Sequence, residues 1–302
     1  MEKSKILKKL FNNKYGNPWQ VKLFIVCLLI VPLTIFCVFT VYGNFGGFIQ
    51  AFQKVDNGKV VGAGWSNFET FFLTFKDERI GDVILNSLGY LFIVMFISVP
   101  ISVVCSFFLY KKVPFSKAIV VMLFMPNILP LAILGVYYNN LMDTVLFDIM
   151  SKILGVPVSM ATHGNLMLYI YTVYFGFGYN AVLIWGAMTR IPEEIVEAAN
   201  LDGANLFVEF FNVTIPIIWP TMSMVLVLTW MVPFTVYNQP LIIHANEGAN
   251  KDTATWALYV MLKVKADQFY ASALSIMAAL ISIPTTLILQ KALEKVFPVI
   301  EV

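Results

Sequence analysis

Six stretches without a single Asp, Glu, Lys or Arg divide this 302-residue chain. Lys22 to Lys54 encloses 31 uncharged residues, Asp82 to Lys111 encloses 28, and Lys117 to Asp143 encloses 25. Lys152 to Arg190 and Glu209 to Glu247 enclose 37 each, and Asp267 to Lys291 encloses 23. A helix needs about 20 apolar residues to cross the hydrocarbon core, so each window can hold one crossing. The two longest are too short for two crossings and a turn. Each also has a polar interruption, His163-Gly164-Asn165 in one and Asn238-Gln239-Pro240 in the other. The apolar runs are continuous rather than alternating, which favours helices over barrel strands. Residues 23–36, LFIVCLLIVPLTIF, lack the polar face that a soluble bundle would require. The windows therefore predict an all-α polytopic membrane protein. Its six transmembrane helices fall near 23–43, 83–110, 118–138, 166–188, 213–237 and 270–290.

Composition agrees. Hydrophobic residues make up 59% and charged residues 13%, with a net charge of +2. That balance excludes a disordered chain, a basic nucleic-acid binder and most soluble enzymes. The first span is longer than a signal-peptide core and lacks an A-x-A-like site after it, so it reads as retained. Six lysines, from Lys3 to Lys22, precede it. With the N-terminus inside, the inner segments carry twelve Lys and Arg against eight outside, which places both termini in the cytoplasm. Cys27, Cys37 and Cys105 fall inside spans and read as buried apolar thiols, without disulfide or metal spacing.

The chemistry that is missing narrows function further. There is no phosphate-binding Gly-x-x-x-x-Gly-Lys loop, and His163 and His244 are expected to be isolated in loops, so no metal or catalytic set is expected. Gly176-Phe177-Gly178 lies within a span and reads as a close helix contact. No Asp, Glu, Lys or Arg sits in mid-span, as a coupled secondary carrier would ordinarily need, and a membrane enzyme would need intramembrane acids, histidines or a metal set.

One inner segment, 190–212, breaks the positive trend with Glu193, Glu194, Glu197, Asp202 and Glu209 against Arg190 alone. Pro192 and the two acids suit a helix start. Ile195, Ala198 and Ala199 then share a face, and Asp202-Gly203 breaks the helix. A second short helix would present Phe207, Phe210 and Phe211. Two readings fit: a knob that enters a groove on a partner, or a surface loop whose phenylalanines fold onto the chain's own helices.

The run Glu197-Ala198-Ala199-x-x-Asp202-Gly203-Ala204, with Ile215-Pro216 and Pro220 following, resembles the cytoplasmic EAA motif. That motif belongs to permease subunits of binding-protein-dependent ABC importers. Asn86-Ser87-Leu88, Pro126, Pro130 and Tyr270-Ala271-Ser272-Ala273-Leu274 extend the resemblance over roughly residues 65–290. The complete D-G-A form, the six spans and the long first outer loop are most similar to the carbohydrate branch, in particular the first permease of maltose-type systems. Trp219 departs from the pattern, where Arg or Lys is common, and Asn200 occupies a variable site.

The resemblance implies a non-catalytic subunit of the bacterial cytoplasmic membrane. It pairs with a second homologous permease, two ATPase subunits and an extracellular or periplasmic solute-binding protein. The cargo is a carbohydrate, and ATP and Mg sit on the ATPase, with no cofactor on this chain. Glu197, Ala198, Ala199, Asp202, Gly203, Ala204 and Phe207 would seat the loop in the ATPase. The corresponding segmentation is a cytoplasmic segment 1–22, a first span with outer loop 23–82, a five-span core 83–290 and a tail 291–302. The rival cargo is glycerol phosphate, and the rival class a secondary carrier. The outer loops at 44–82 and 238–269, with Trp65, Phe68, Phe71, Phe72 and Trp256, either dock the binding protein or cover the outer mouth. Asn127, Tyr174, Tyr179, Asn180, Tyr237 and Asn238 are candidates for contact with an uncharged sugar, by amide and hydroxyl bonding and aromatic stacking. Interfacial tyrosines and helix-joining asparagines fit the same positions.

Overall fold

A computed structural model describes residues 18–75, 80–141, 144, 147–155, 160–243 and 253–296. The chain forms two compact units, Met1–Asn67 and Phe68–Val302. In the first, a long apolar helix α1 (Val21–Gln50) leads into a hairpin of β1 (Gln53–Asp56) and β2 (Lys59–Gly62). The strands pair antiparallel with Gln53 opposite Gly62. Asn57 and Gly58 both take positive φ, 49° and 75°, as a two-residue hairpin turn of the right twist requires. Asn67 braces the hairpin's base, its amide nitrogen donating to the Ala51 and Gln53 carbonyls at 2.8 Å each. The unit boundary falls within α2 (Ser66–Thr74).

The second unit is helical among its described residues. Its long members are α3 (Ile80–Tyr110), α7 (Met160–Met188), α9 (Leu206–Trp230) and α13 (Gln268–Val296). Shorter helices lie between them: α4 (Ser116–Ile128), α5 (Leu131–Leu141), α6 (Phe147–Leu154), α8 (Glu193–Leu201), α10 (Val232–Thr235), α11 (Asn238–Ile243) and α12 (Trp256–Ala266). Five described helices are long and apolar enough to cross a membrane: α1, α3, α7, α9 and α13. The sequence windows thus locate five of the six predicted spans. The window at 118–138 instead holds two helices, with Leu129 extended between them at φ −79° and ψ 142°. Pro130 is the cause, because its ring disfavours helical backbone in the residue before it. The 213–237 span also differs, beginning at Leu206 and stopping at Trp230.

α7 is the central element. Ser102 and Ser106 of α3 reach its backbone, their Oγ atoms 2.9 Å from the Phe177 carbonyl and 2.7 Å from that of Ala181. α4 also comes so close to α7 that a Cβ at Gly178 would lie 2.0 Å from the Leu123 carbonyl oxygen. The expected close contact is therefore real at Gly178, whereas Gly176 has nothing within 4 Å. Small side chains and hydroxyls join membrane helices in this way because lipid provides no hydrophobic drive for helix association.

Three apolar clusters follow α3 along its length. Ile80 and Val83 pack with Phe71, Trp256, Tyr270 and Leu274. Tyr90 packs with Tyr138, Met167, Leu168 and Tyr171. Val99, Val103 and Phe107 pack with Ile184, Met188 and Ile218. Phe71 and Trp256 are therefore core residues with ring centroids 6.1 Å apart, and neither is available to dock a partner, whereas Trp65 and Phe72 are exposed. Two further expectations are corrected. Cys27 and Cys37 are exposed, on a helix whose apolar window is nowhere buried in the chain, and Cys105 is only partly covered. His163 lies within α7 and not in a loop, while His244 falls outside the described residues.

The stretches behind the family resemblance have structural roles. Ser87 Oγ accepts from the Trp256 backbone N–H at 2.7 Å, and the Asn86 amide reaches the Ala254 carbonyl at 3.3 Å. Asp267 caps α13 by accepting from the N–H groups of Phe269 and Tyr270 at 2.9 and 3.1 Å. Ala271 and Ala273 behind it are buried small residues. Trp219 donates from Nε1 to the Leu293 carbonyl at 2.8 Å, tying α9 to α13.

Candidate functional site

The segment after α7 is built by local rules. Pro192, at φ −57° and ψ 134°, is the N-cap of α8, and Glu193 and Glu194 occupy the first turn, where the helix dipole favours acids. The helix stops at Asp202. The Gly203 N–H donates to the Asn200 carbonyl and the Ala204 N–H to the Ala199 carbonyl, each at 3.0 Å. With Gly203 at φ +81°, this is a Schellman closure. Its apolar contact joins the third-last helical residue to the residue after the glycine, here Ala199 and Ala204, both half-buried. The alanine–glycine–alanine spacing of the motif is therefore the spacing of one helix-ending device. Asn205 then opens α9, its Oδ1 accepting from the Val208 N–H at 2.9 Å.

Two helix ends meeting across a four-residue connection leave a projecting apolar tip. Leu201 is 89% exposed and Phe207 is 76% exposed, with Leu206 and Phe211 also outward. Glu197, Ala198 and Asp202 are exposed beside them. Phe210 behaves differently. It turns inward against the third cluster, its ring centroid 4.8 Å from that of Phe107. The expected second short helix is in fact the continuous start of α9, whose turns widen to π-helix over Glu209–Thr214. Of the two readings of the phenylalanines, each holds for different residues: Phe207 and Phe211 face out, and Phe210 packs on the chain's own helices.

A cleft of about 540 Å³ opens beside this knob, lined by Tyr110, Lys112, Lys117, Trp185, Glu193 and Glu197 among others. At its edge lies a contact that sequence reasoning did not find. Lys111 Nζ sits 2.5 Å from each carboxylate oxygen of Glu209, a residue only 1% exposed. An acid bordering an apolar window was the available signal, but its partner is 98 residues away.

The six sugar-contact candidates lie on or beside three helices, α4, α7 and α11. Asn127 on α4 is exposed and lies by Gly178. Tyr174 and Tyr179 are exposed on α7, and Asn180 is half-buried there. Five residues apart, the two tyrosines point about 140° from each other around the helix. Tyr237 is exposed just before α11, and Asn238, half-buried, begins it. Four other tyrosines pack together. Tyr90 and Tyr169 stack edge-to-face at 5.2 Å, Tyr138 and Tyr171 at 5.0 Å, and Tyr138 donates to the Met167 carbonyl at 2.7 Å. Among the described residues no group of three or more His, Cys, Asp or Glu side chains is placed to hold a metal ion.

Comparison with known proteins places this geometry among relatives. Residues 81–296 match the family profile of the binding-protein-dependent transport system inner membrane component. The arabinooligosaccharides transport system permease protein AraP of Bacillus subtilis (strain 168) is 23% identical over 292 residues, covering 93% of this chain and 90% of that protein. The maltose/maltodextrin transport system permease protein MalF of Escherichia coli (strain K12) is 28% identical over 190 residues. That match covers 59% of this chain and 35% of MalF. A similar fold occurs in a solved bacterial alginate ABC transporter in complex with its alginate pentasaccharide-bound periplasmic protein. The TM-score is 0.77 and the identity 16%, over 91% of this chain and 96% of that one.

Proposed function

The chain belongs to the binding-protein-dependent transport system inner membrane components, a non-catalytic membrane permease family, and on that premise we propose its place in an importer. It forms, with a second homologous permease, the pathway by which a sugar or oligosaccharide enters a bacterial cell. Two separate ATPase subunits drive the cycle, and a periplasmic or extracellular solute-binding protein delivers the cargo. The relatives named for arabinooligosaccharide and maltodextrin transport support the carbohydrate cargo. So does the absence of Asp, Glu, Lys and Arg in mid-span.

The observation that carries this reading is the knob at Gly203. A rigid turn with an apolar tip, rimmed by Glu197 and Asp202, suits insertion into a cleft on a soluble partner. Closure of the ATPase pair on nucleotide then moves the knob, and the knob moves the helices it joins. Glu197, Ala198, Asp202 and Phe207 offer the contact surface, while Ala199, Gly203 and Ala204 hold the turn. In this arrangement both termini are cytoplasmic, and α4 and α5 together make the sixth crossing, broken at Leu129. The five-span core then covers 83–290, and Asn127, Tyr174, Tyr179, Asn180, Tyr237 and Asn238 flank the cargo route.

Gly203→Pro tests the knob directly. Proline fixes φ near −65° and removes the N–H that bonds Asn200, so the closure cannot form. Binding-protein-dependent uptake should be abolished while the chain still inserts and accumulates in the membrane. Uptake at the wild-type rate would contradict the assignment.

A further inference from the structure

Lys111 and Glu209 join two long helices at the root of the knob. Lys111 is the C-cap of α3, and Glu209 opens the π-helical stretch of α9, six residues beyond Gly203. The Glu209 side chain is buried, that of Lys111 is 25% exposed, and Nζ lies 2.5 Å from both carboxylate oxygens. The ammonium also lies over the Phe107 ring at 5.7 Å, and Phe107 in turn packs edge-on against Phe210. The Lys111 ammonium is thus flanked by the rings of Phe107 and Tyr110.

A buried ion pair is a poor way to gain stability, because removing two charges from water offsets most of their attraction. What it supplies is a specific, short connection between two elements. The π-helical stretch beside it is a form concentrated at functional positions in helices. Lys112, next in the chain, reaches Glu193 on α8 only at 3.8 Å, and both are exposed, so the firm link runs through Lys111. We propose that the Lys111–Glu209 pair is the tie through which displacement of the Gly203 knob is transmitted to α3. The two are then positioning residues for the transport cycle. This rests on the importer reading above.

The test uses the full assembly, reconstituted with its second permease, ATPase and binding protein, and reads cargo transported per ATP hydrolysed. Glu209→Gln and Lys111→Met each break the pair. The double variant Lys111→Met/Glu209→Gln leaves no buried charge unpaired, and Lys111→Glu/Glu209→Lys restores a pair in reverse. A tie predicts that both single variants and the double neutral variant assemble, yet transport roughly tenfold less per ATP, within the range of measured site-to-site couplings. The reversed pair recovers at least part of that loss. A purely structural ion pair predicts the opposite for the double neutral variant, which would then transport like wild type. That result overturns the proposal, as does wild-type coupling in Glu209→Gln. If the wild-type assembly itself shows no ATP-driven uptake, the importer reading fails instead.

Discussion

Gly178 and Gly176 sit two residues apart on α7, yet their surroundings demand different things. A methyl at Gly178 would meet the backbone of Leu123 on α4, and backbone cannot swing aside as a side chain can. Gly178→Ala should therefore push α4 away from α7, at the 1–3 kcal/mol usual for overpacking, or roughly that in membrane. Gly176→Ala should be tolerated, since nothing lies within 4 Å. Thermal denaturation of the purified assembly distinguishes them: a lowered midpoint for Gly178→Ala alone is expected, and equal midpoints would contradict the packing. At this scale the motif at 197–204 was legible because its positions are set by a local closure, alanine to glycine to alanine. Lys111–Glu209 was not, because no short-range rule pairs residues 98 positions apart.

Among the elements, the long helices were readable because a crossing needs an uninterrupted apolar run, and charge marks its ends. The same logic hid the break at Leu129-Pro130. Apolar content continues through 118–138, so a window count registers one span where backbone sterics make two helices. It also hid the β1–β2 hairpin, although Asn57-Gly58 between Val55-Asp56 and Lys59-Val60 is a recognised hairpin signal. Phe71 and Trp256 stayed undecided between docking and covering because an aromatic in a polar loop carries no mark of which side it faces. On the proposed topology the hairpin lies in the outer loop at 44–82, where Val55 and Val60 are exposed. Replacing Gln53–Gly62 by a short Gly-Ser linker should leave ATPase assembly intact. Binding-protein stimulation of ATP hydrolysis should fall several-fold, by about 1 kcal/mol or more of lost contact. Unchanged stimulation would remove the hairpin from the interface.

For the molecule as a whole, the proposed topology puts the exposed apolar side chains of the Gly203 knob in an aqueous compartment, which a protein without a partner there gains nothing by doing. α1 likewise presents an unburied apolar surface along its length, as a lipid-facing helix must. Both features are explained by an assembly in a bilayer, with the chain as one permease of an importer powered by other subunits. The most direct test is to tag this chain, solubilise native membranes gently with ATP turnover trapped, and quantify what co-purifies. The account predicts stoichiometric recovery of a second permease, two copies of an ATPase and a sugar-binding protein, with the ATPase lost from Gly203→Pro. Recovery of the chain alone, or only with copies of itself, would contradict it.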